Sequence, residues 1–282
     1  VSPQLKAALE QAKANIEAFH RAQLPAQVEV ETMPGVRCVQ RAVAIGRAGL
    51  YIPGGKAPLF STVLMLALPA RIAGCREVIL GPGNRYVTKA KQLAGAADVA
   101  VDLPAGPSEV LVLADEDARP EFAAADLLSQ AEHGDDSQAV LVCRSEEFAQ
   151  RAIASVGEQA ARLSRRDAIG NSLANSRIVV FSDPDEQIAF ADAYAPEHLI
   201  VAMRDAWDAA ARITAAGSVF IGGYSPESAG DYASGTNHTL PTGGWARAYS
   251  GVNTESITAM AEAEGLDAHA NAVRIRTEGG AR

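Results

Sequence analysis

Apolar residues recur at helical spacing at the start of the chain and in short β-like runs further along. Leu5, Leu9, Ile16 and Phe19 form a stripe behind Ser2-Pro3. A serine followed by proline reads as an N-cap and first helical residue, so a helix is predicted there. From Val36 onward short β runs alternate with amphipathic helices. Residues 49–52 read as the end of a strand, Pro53-Gly54-Gly55 as a turn, 61–73 as a helix and 77–80 as the next strand.

A longer series follows, with strands predicted at 109–113, 139–143, 178–181, 199–201 and 218–221. Helices are predicted between them at 120–131, 146–163, 185–194 and 205–215. Strands separated by helices of this length imply βαβ crossovers and a mostly parallel sheet. Ligands of such sheets are expected beyond the carboxyl ends of the strands. From Gly222 to His238 the composition shifts to Gly, Ser, Thr, Asn and His, which reads as a long functional loop. No internal repeat or low-complexity tract interrupts this pattern.

At 282 residues, the chain is long enough for two α/β domains or one large one. Its 48% hydrophobic and 21% charged residues are those of a soluble globular protein. A formal charge of −9, with no basic cluster longer than Arg165-Arg166, argues against nucleic acid or an anionic membrane as the main partner. No apolar run is long enough to span a bilayer, and no targeting segment is visible, so a cytoplasmic location is expected, or an organelle stroma if the source is a plant. Cys38, Cys75 and Cys143 are odd in number and sit in apolar contexts; they read as buried, reduced thiols.

Candidate chemistry clusters on few residues. Gln130 and His133 stand three apart on a predicted helix, so a carboxamide oxygen and an imidazole can converge on a metal ion or a polar substrate. An exposed helix face explains that pair equally well. Glu197-His198 precedes the apolar strand at 199–201, where an imidazole can take a proton from an alcohol and a carboxylate can activate water. Its plainer reading is a solvated pair at a strand start. Asp231 lies in a loop of small residues, either as a turn former or as the anionic ligand a Gln130/His133 site lacks. Gly81-Pro82-Gly83-Asn84 joins a strand to a helix, where backbone N–H groups meet phosphates, but it lacks the last glycine of a dinucleotide fingerprint. His269 reads by default as a surface residue of the tail.

Taken together, these segments resemble histidinol dehydrogenase. The matching stretches include Gly49-Leu-Tyr-Ile-Pro-Gly-Gly-Lys-Ala-Pro-Leu-Phe-Ser-Thr-Val-Leu-Met65, Pro104-Ala-Gly-Pro-Ser-Glu-Val110 and Asp126-Leu-Leu-Ser-Gln-Ala-Glu-His-Gly134. Tyr194-Ala-Pro-Glu-His-Leu-Ile200, Ser225-Pro-Glu-Ser-Ala-Gly-Asp-Tyr-Ala-Ser-Gly-Thr-Asn-His238 and Ala268-His-Ala-Asn-Ala272 extend the match in the same order. The resemblance implies oxidation of L-histidinol through an aldehyde to L-histidine with two NAD+. It implies one Zn2+ per subunit on Gln130, His133, Asp231 and His269, the last from a partner subunit, and hence a homodimer with exchanged tails. It places the general base on His198 and the water-activating carboxylate on Glu197. Substrate contacts fall on Ser108, Gln130, His133, His198, Asp231, His238, Glu264 and His269, and NAD+ contacts on Tyr51 and Asn84.

The implied architecture is α/β, with two incomplete Rossmann-like parallel-sheet domains and an extended, partly helical C-terminal tail. Residues 1–50 and 110–252 would form the main domain with the substrate and zinc site, 51–109 a second domain contacting NAD+, and 253–282 the tail. The chain departs from the family in two places. Leu80 runs directly into Gly81, where the family has several tens of residues, including a glutamine that contacts NAD+. A second shortening lies between about Ser250 and Glu262. Removing the middle of a βαβ series would strip strands from a sheet and expose its edges, so the favoured reading is that the junction joins stretches that are separate in the whole protein. A smaller departure is Asp135, where the family usually has proline. Two other functions compete: a paralogue oxidising another small polar alcohol, such as a sulfonated diol, and a non-catalytic zinc- or imidazole-binding protein lacking its cofactor half. Glu264 favours histidinol.

Overall fold

The computed structural model describes residues 2–53, 60–96, 101–103, 106–254 and 258–260. Helix α1 (Pro3–Ala22) is capped by Ser2, whose hydroxyl accepts from the Leu5 N–H at 3.2 Å. The apolar stripe expected along α1 is only partly used. Ile16 and His20 are buried, whereas Leu5 and Phe19 stay exposed, so the face that packs on the rest of the molecule runs through Ile16 and His20 rather than through Phe19. Strands β1 (Val28–Met33) and β2 (Val36–Gln40) then form an antiparallel hairpin. Cys38 lies on it and is exposed, unlike half-buried Cys75 and buried Cys143, so the expectation of three buried thiols fails for Cys38.

Strand β3 (Ala42–Ala44) leads to β4 (Arg47–Pro53), α2 (Phe60–Ala73), β5 (Glu77–Gly83) and α3 (Arg85–Gly95). Strands β4 and β5 pair in parallel over their whole length, from Arg47 opposite Glu77 to Pro53 opposite Gly83. The Leu80–Gly81 junction therefore lies inside a continuous strand rather than at a strand end. Helix α2 packs Leu66 and Ala70 against Ala48 and Leu50. This sheet has two strands among the described residues, and Ile79 and Leu80 remain about half exposed (55% and 52%).

The main sheet is built from β6 (Glu109–Ala114), α4 (Pro120–Ala131), β7 (Gln138–Cys143), α5 (Glu146–Ala160), α6 (Arg166–Asn175), β8 (Arg177–Val180), α7 (Pro184–Tyr194), β9 (His198–Ala202), α8 (Ala206–Arg212) and β10 (Ser218–Ile221). Its five strands are all parallel, in the order β10-β9-β6-β7-β8. The central strand β6 is buried at every position. Val110 and Val112 face α4 and α5 through Leu127 and Phe148, while Leu111 and Leu113 face α7 and α8 through Ile188 and Ala209. Both faces of a parallel sheet must be covered by its crossover helices, which is why these strands read as unbroken apolar runs.

Helix α6 and the short α9 (Glu227–Tyr232) were not expected. The segment 222–238, read as one long loop, is thus interrupted by a helical turn and a half. The last element, β11 (Thr258–Met260), pairs antiparallel with β3. Among the described residues no helix is long and apolar enough to cross a membrane.

Candidate active site

Parallel pairing places Glu109 at the start of β6, Gln138 at the start of β7 and His198 at the start of β9 along one edge of the main sheet. The residues singled out by sequence collect at this amino edge. These residues thus lie at the opposite end of the main sheet from the carboxyl ends, which border a separate cavity of about 390 Å3 lined by Asp115, Arg144 and Arg204. In the small sheet, Tyr51 stands near the carboxyl end of β4, so the two sheets present opposite edges to one cleft. That cleft has a volume of about 620 Å3 and is lined by Tyr51, Ser108, His133, Glu197, His198, Asp231 and His238.

Glu197 and His198 are buried, with 6% and 5% of their surface exposed. They follow Ala195, which adopts a left-handed conformation (φ 53°) at the end of α7 and turns the chain into β9. The Glu197 carboxylate accepts from the Ser108 hydroxyl at 2.6 Å and from the Glu109 N–H at 2.9 Å through the same oxygen, Oε2. Burial nevertheless pushes its pKa up to about 8, with Glu109 and Asp231 adding like charge, against the lowering effect of those two hydrogen bonds. Gly217 holds the pair from behind. A Cβ there would lie 2.6 Å from the Glu197 carbonyl oxygen, and the Gly217 N–H donates to Pro196 at 2.9 Å.

His198 Nδ1 lies 3.1 Å from the Glu109 carbonyl, 3.6 Å from Glu197 Oε2 and 4.0 Å from Glu227 Oε2. A carbonyl can only accept, so Nδ1 carries the proton and Nε2 keeps a free lone pair. Burial lowers the pKa of His198, with Asp231 opposing; His133 and His238 are lowered the same way, each again opposed by Asp231. The three imidazoles and Asp231 line the same cleft, and in each case the carboxylate's charge opposes the effect of burial.

Helix α4 delivers Gln130 at its last turn and His133 just beyond it. Gln130 is fully buried, and neither carboxamide atom has a hydrogen-bond partner. His133 is exposed and lines the cleft. Asp231 comes from α9. Among the described residues, no three His, Cys, Asp or Glu side chains are grouped closely enough to hold a metal ion. Glu264 and His269 lie outside the described residues.

The loop that carries His238 is fastened to the N-terminal helix. Asn15 Nδ2 donates to the Ala233 carbonyl at 2.6 Å, and Asn237 Nδ2 donates to the Met65 carbonyl at 2.6 Å beside the buried His20. Gly235 (φ 92°) lets this loop approach the Asn15 backbone, where a Cβ would come within 2.5 Å.

Tyr51 lies over Gly83, where a Cβ would meet its ring at 2.2 Å, and its hydroxyl accepts from Thr88 at 3.2 Å. Asn84 is exposed and its side-chain oxygen caps α3, accepting from the N–H groups of Tyr86 and Val87 at 2.9 and 3.0 Å. It is not among the residues lining the cleft.

Sequence reasoning missed Glu109 and Glu227. Glu109 Oε1 accepts from the Gly243 N–H at 2.9 Å, and its backbone orients both Glu197 and His198. Glu227 is 1% exposed, and burial raises its pKa well above the carboxylate range, with Asp231 adding to the rise and the Ser129 side chain opposing it. Its spacing of four residues from Asp231 was the available signal, but it is legible only once residues 227–232 are known to be helical.

The chain matches the family model for histidinol dehydrogenase over residues 1–80 and 77–258. The two matched stretches overlap at residues 77–80, next to the Leu80–Gly81 junction. The histidinol dehydrogenase of Bacteroides fragilis (strain YCH46) is 48% identical over 98% of this chain and 81% of its own length. That alignment runs to 348 positions against a chain of 282 residues, so the relative carries internal segments that this chain lacks. The crystal structure of histidinol dehydrogenase from Elizabethkingia anophelis superposes with a TM-score of 0.92 at 42% identity, covering 99% of this chain and 81% of that one. A succinate-semialdehyde dehydrogenase from Burkholderia pseudomallei shares the fold alone, with a TM-score of 0.55 at 12% identity over 91% of this chain and 77% of that one. The collinear motifs, the two-part family match and the superposition agree: the chain belongs to the histidinol dehydrogenase family.

Proposed function

We propose that the chain oxidises L-histidinol to L-histidine through the aldehyde, using two NAD+, with Zn2+ bound by Gln130, His133 and Asp231 together with His269 of a second copy. The observation that carries this reading is the buried Glu197–His198 pair, fixed by Ser108 and Glu109 at the mouth of the cleft. NAD+ supplies the hydride acceptor in both oxidations. Zn2+ supplies a Lewis acid that holds the substrate's polar groups and polarises its oxygen.

His198 takes the alcohol proton on Nε2, because Nδ1 is committed to the Glu109 carbonyl. The imidazolium that forms is favoured by the negative charge of Asp231 and by the Glu109 carbonyl that accepts from Nδ1. For the second oxidation Glu197 removes a proton from water as it adds to the aldehyde, giving a hydrate whose hydroxyl proton goes again to His198. A carboxyl raised to about 8 is a much stronger base than a free one, which suits it to water. The Ser108 hydroxyl donates to Glu197 and keeps its lone pairs for a donor on the substrate.

Gln130 fits a ligand position because a buried carboxamide left without partners costs about 1–3 kcal/mol. His133 is held neutral, and Asp231 supplies negative charge to the same cleft. His238 and Glu264 would complete the substrate contacts. Tyr51 would pack against NAD+, and Asn84 would offer its remaining amide hydrogens. Residues 51–109 would serve NAD+ and 1–50 with 110–252 the substrate, in a cytoplasmic homodimer joined by residues 253–282.

The test is NADH formation dependent on histidinol, abolished by a chelator and restored by Zn2+. Turnover of another small alcohol with none on histidinol would overturn the substrate assignment. Full turnover after chelation would overturn the metal assignment.

A further inference from the structure

Beside His238 stands a side chain with every polar atom committed. Asn237 is buried. Its Nδ2 donates to the Met65 carbonyl at 2.6 Å and stands 3.4 Å from His20 Nε2, and its Oδ1 accepts from the Thr239 N–H at 2.8 Å. His20 is fully buried, and its Nδ1 lies 2.7 Å from Gln23 Oε1. A carboxamide oxygen can only accept, so Nδ1 carries the proton and Nε2 accepts from Asn237. The Asn237 amide therefore has one satisfactory orientation. Turned over, its oxygen would face the Met65 carbonyl and the His20 lone pair, and its NH2 group would face the Thr239 N–H.

Three parts of the molecule meet at this side chain. His20 belongs to α1, and Met65 belongs to α2, which packs Leu66 and Ala70 on β4, the strand that carries Tyr51. The bond back to Thr239 closes an Asx turn whose middle residue is His238. Beyond it, the Thr239 carbonyl accepts from the Val252 N–H at 2.9 Å, so the backbone is pinned on both sides of His238. His238 lines the cleft, and its Nε2 has no hydrogen-bond partner among the described residues. Nothing at that atom holds the ring, so the pinned backbone sets where it points. The Glu197–His198 pair takes its bonds from Ser108 and Glu109 instead. The two parts of the site are thus held by different contacts.

We infer that Asn237 is a positioning residue for the reaction. It sets the His238 ring in the cleft and ties that loop to α2, on the cofactor-contacting side, without acting on the Glu197–His198 pair. Asn237 is not among the residues lining the cleft, so it acts through His238. The inference rests on the substrate contact proposed above for His238.

Asn237→Ala tests it in the full chain with Zn2+ supplied. The chain has five histidines, so carbon-13 labelling of their Cε1 atoms gives few enough signals to follow each one. Asn237→Ala is expected to displace the His238 signal and to leave that of His198 in place. KM for histidinol should rise by about tenfold. In a double-mutant cycle the same substitution should add little to the effect of His238→Ala. His20→Leu leaves one amide hydrogen of Asn237 unpaired and should displace the His238 signal by less. His20→Gln, whose amide oxygen can accept in place of Nε2, should restore it. These two variants carry the test if Asn237→Ala does not fold.

An unmoved His238 signal in folded variants, or a His198 signal displaced as far, would overturn the positioning role. So would fully additive effects of Asn237→Ala and His238→Ala on KM. A displaced His238 signal in a chain whose parent neither binds nor oxidises histidinol would support the placement and overturn the substrate reading instead.

Discussion

The two parallel sheets of this chain differ in completeness. In the main sheet, β6 is flanked on both sides and covered on both faces, and it carries Glu109, whose backbone fixes the Glu197–His198 pair. In the small sheet, β4 and β5 pair only with each other among the described residues, and Ile79 and Leu80 stand half exposed where the family model breaks. The groups proposed for acid–base chemistry and metal binding are therefore anchored to a buried frame. The positions proposed to contact NAD+, Tyr51 and Asn84, lie on or beside a sheet with two strands among the described residues.

The largest effects are expected in the main sheet. His198→Asn should lower turnover by about 10^3 because it removes the proton acceptor, with zinc content unchanged by metal analysis. Equal zinc loss would contradict the division of roles. His133→Ala should remove zinc and histidinol binding together, and unchanged zinc stoichiometry would refute its assignment.

Next comes Gly217→Ala. The added methyl has no space against the Glu197 carbonyl, so the pair must shift. Turnover should fall by up to about 10^2 while circular dichroism stays unchanged. A fully active variant would mean that the placement of Glu197 is not critical.

The pH dependence has a definite sign. The base role proposed for Glu197 requires its deprotonated form, and its pKa is raised to about 8 by burial. Activity should climb with pH by about tenfold per unit below that value and level off above it. Glu197→Gln should lose this limb from the aldehyde step. A profile already flat at pH 6 would contradict the assignment.

The smallest effect is expected in the small sheet. Gly83→Ala must displace the Tyr51 ring, so KM for NAD+ should rise while KM for histidinol stays the same. An equal rise in both would show that the two halves are not separable in this way.

The division between the sheets also explains what was legible in the sequence. Strands β6, β7 and β9 were found nearly to the residue because buried parallel strands are unbroken apolar runs between helices. The hairpin strand β1 is not declared by sequence because half of its residues are polar and all of them are exposed. Helix α6, which carries Arg166, Asp167 and Asn171, and the short α9 have too few apolar positions to declare a period.

At the site, Glu197, His198, His133 and Asp231 were visible through motif and resemblance, and the cleft brings them together. Glu109 was visible only as the first residue of a strand. Its role comes from a backbone carbonyl and N–H, which no side-chain pattern reports. The gathering of these residues at the amino edge of the main sheet was not legible, because the cleft is formed where that edge meets a second sheet and depends on packing between segments far apart in sequence.

The most direct test of the whole account is the count of NADH formed per histidinol consumed by the zinc-loaded protein. The account predicts two, with histidine as the product. One NADH with accumulating aldehyde would contradict the role given to Glu197 in the second oxidation, and none despite bound histidinol would contradict a working cofactor half.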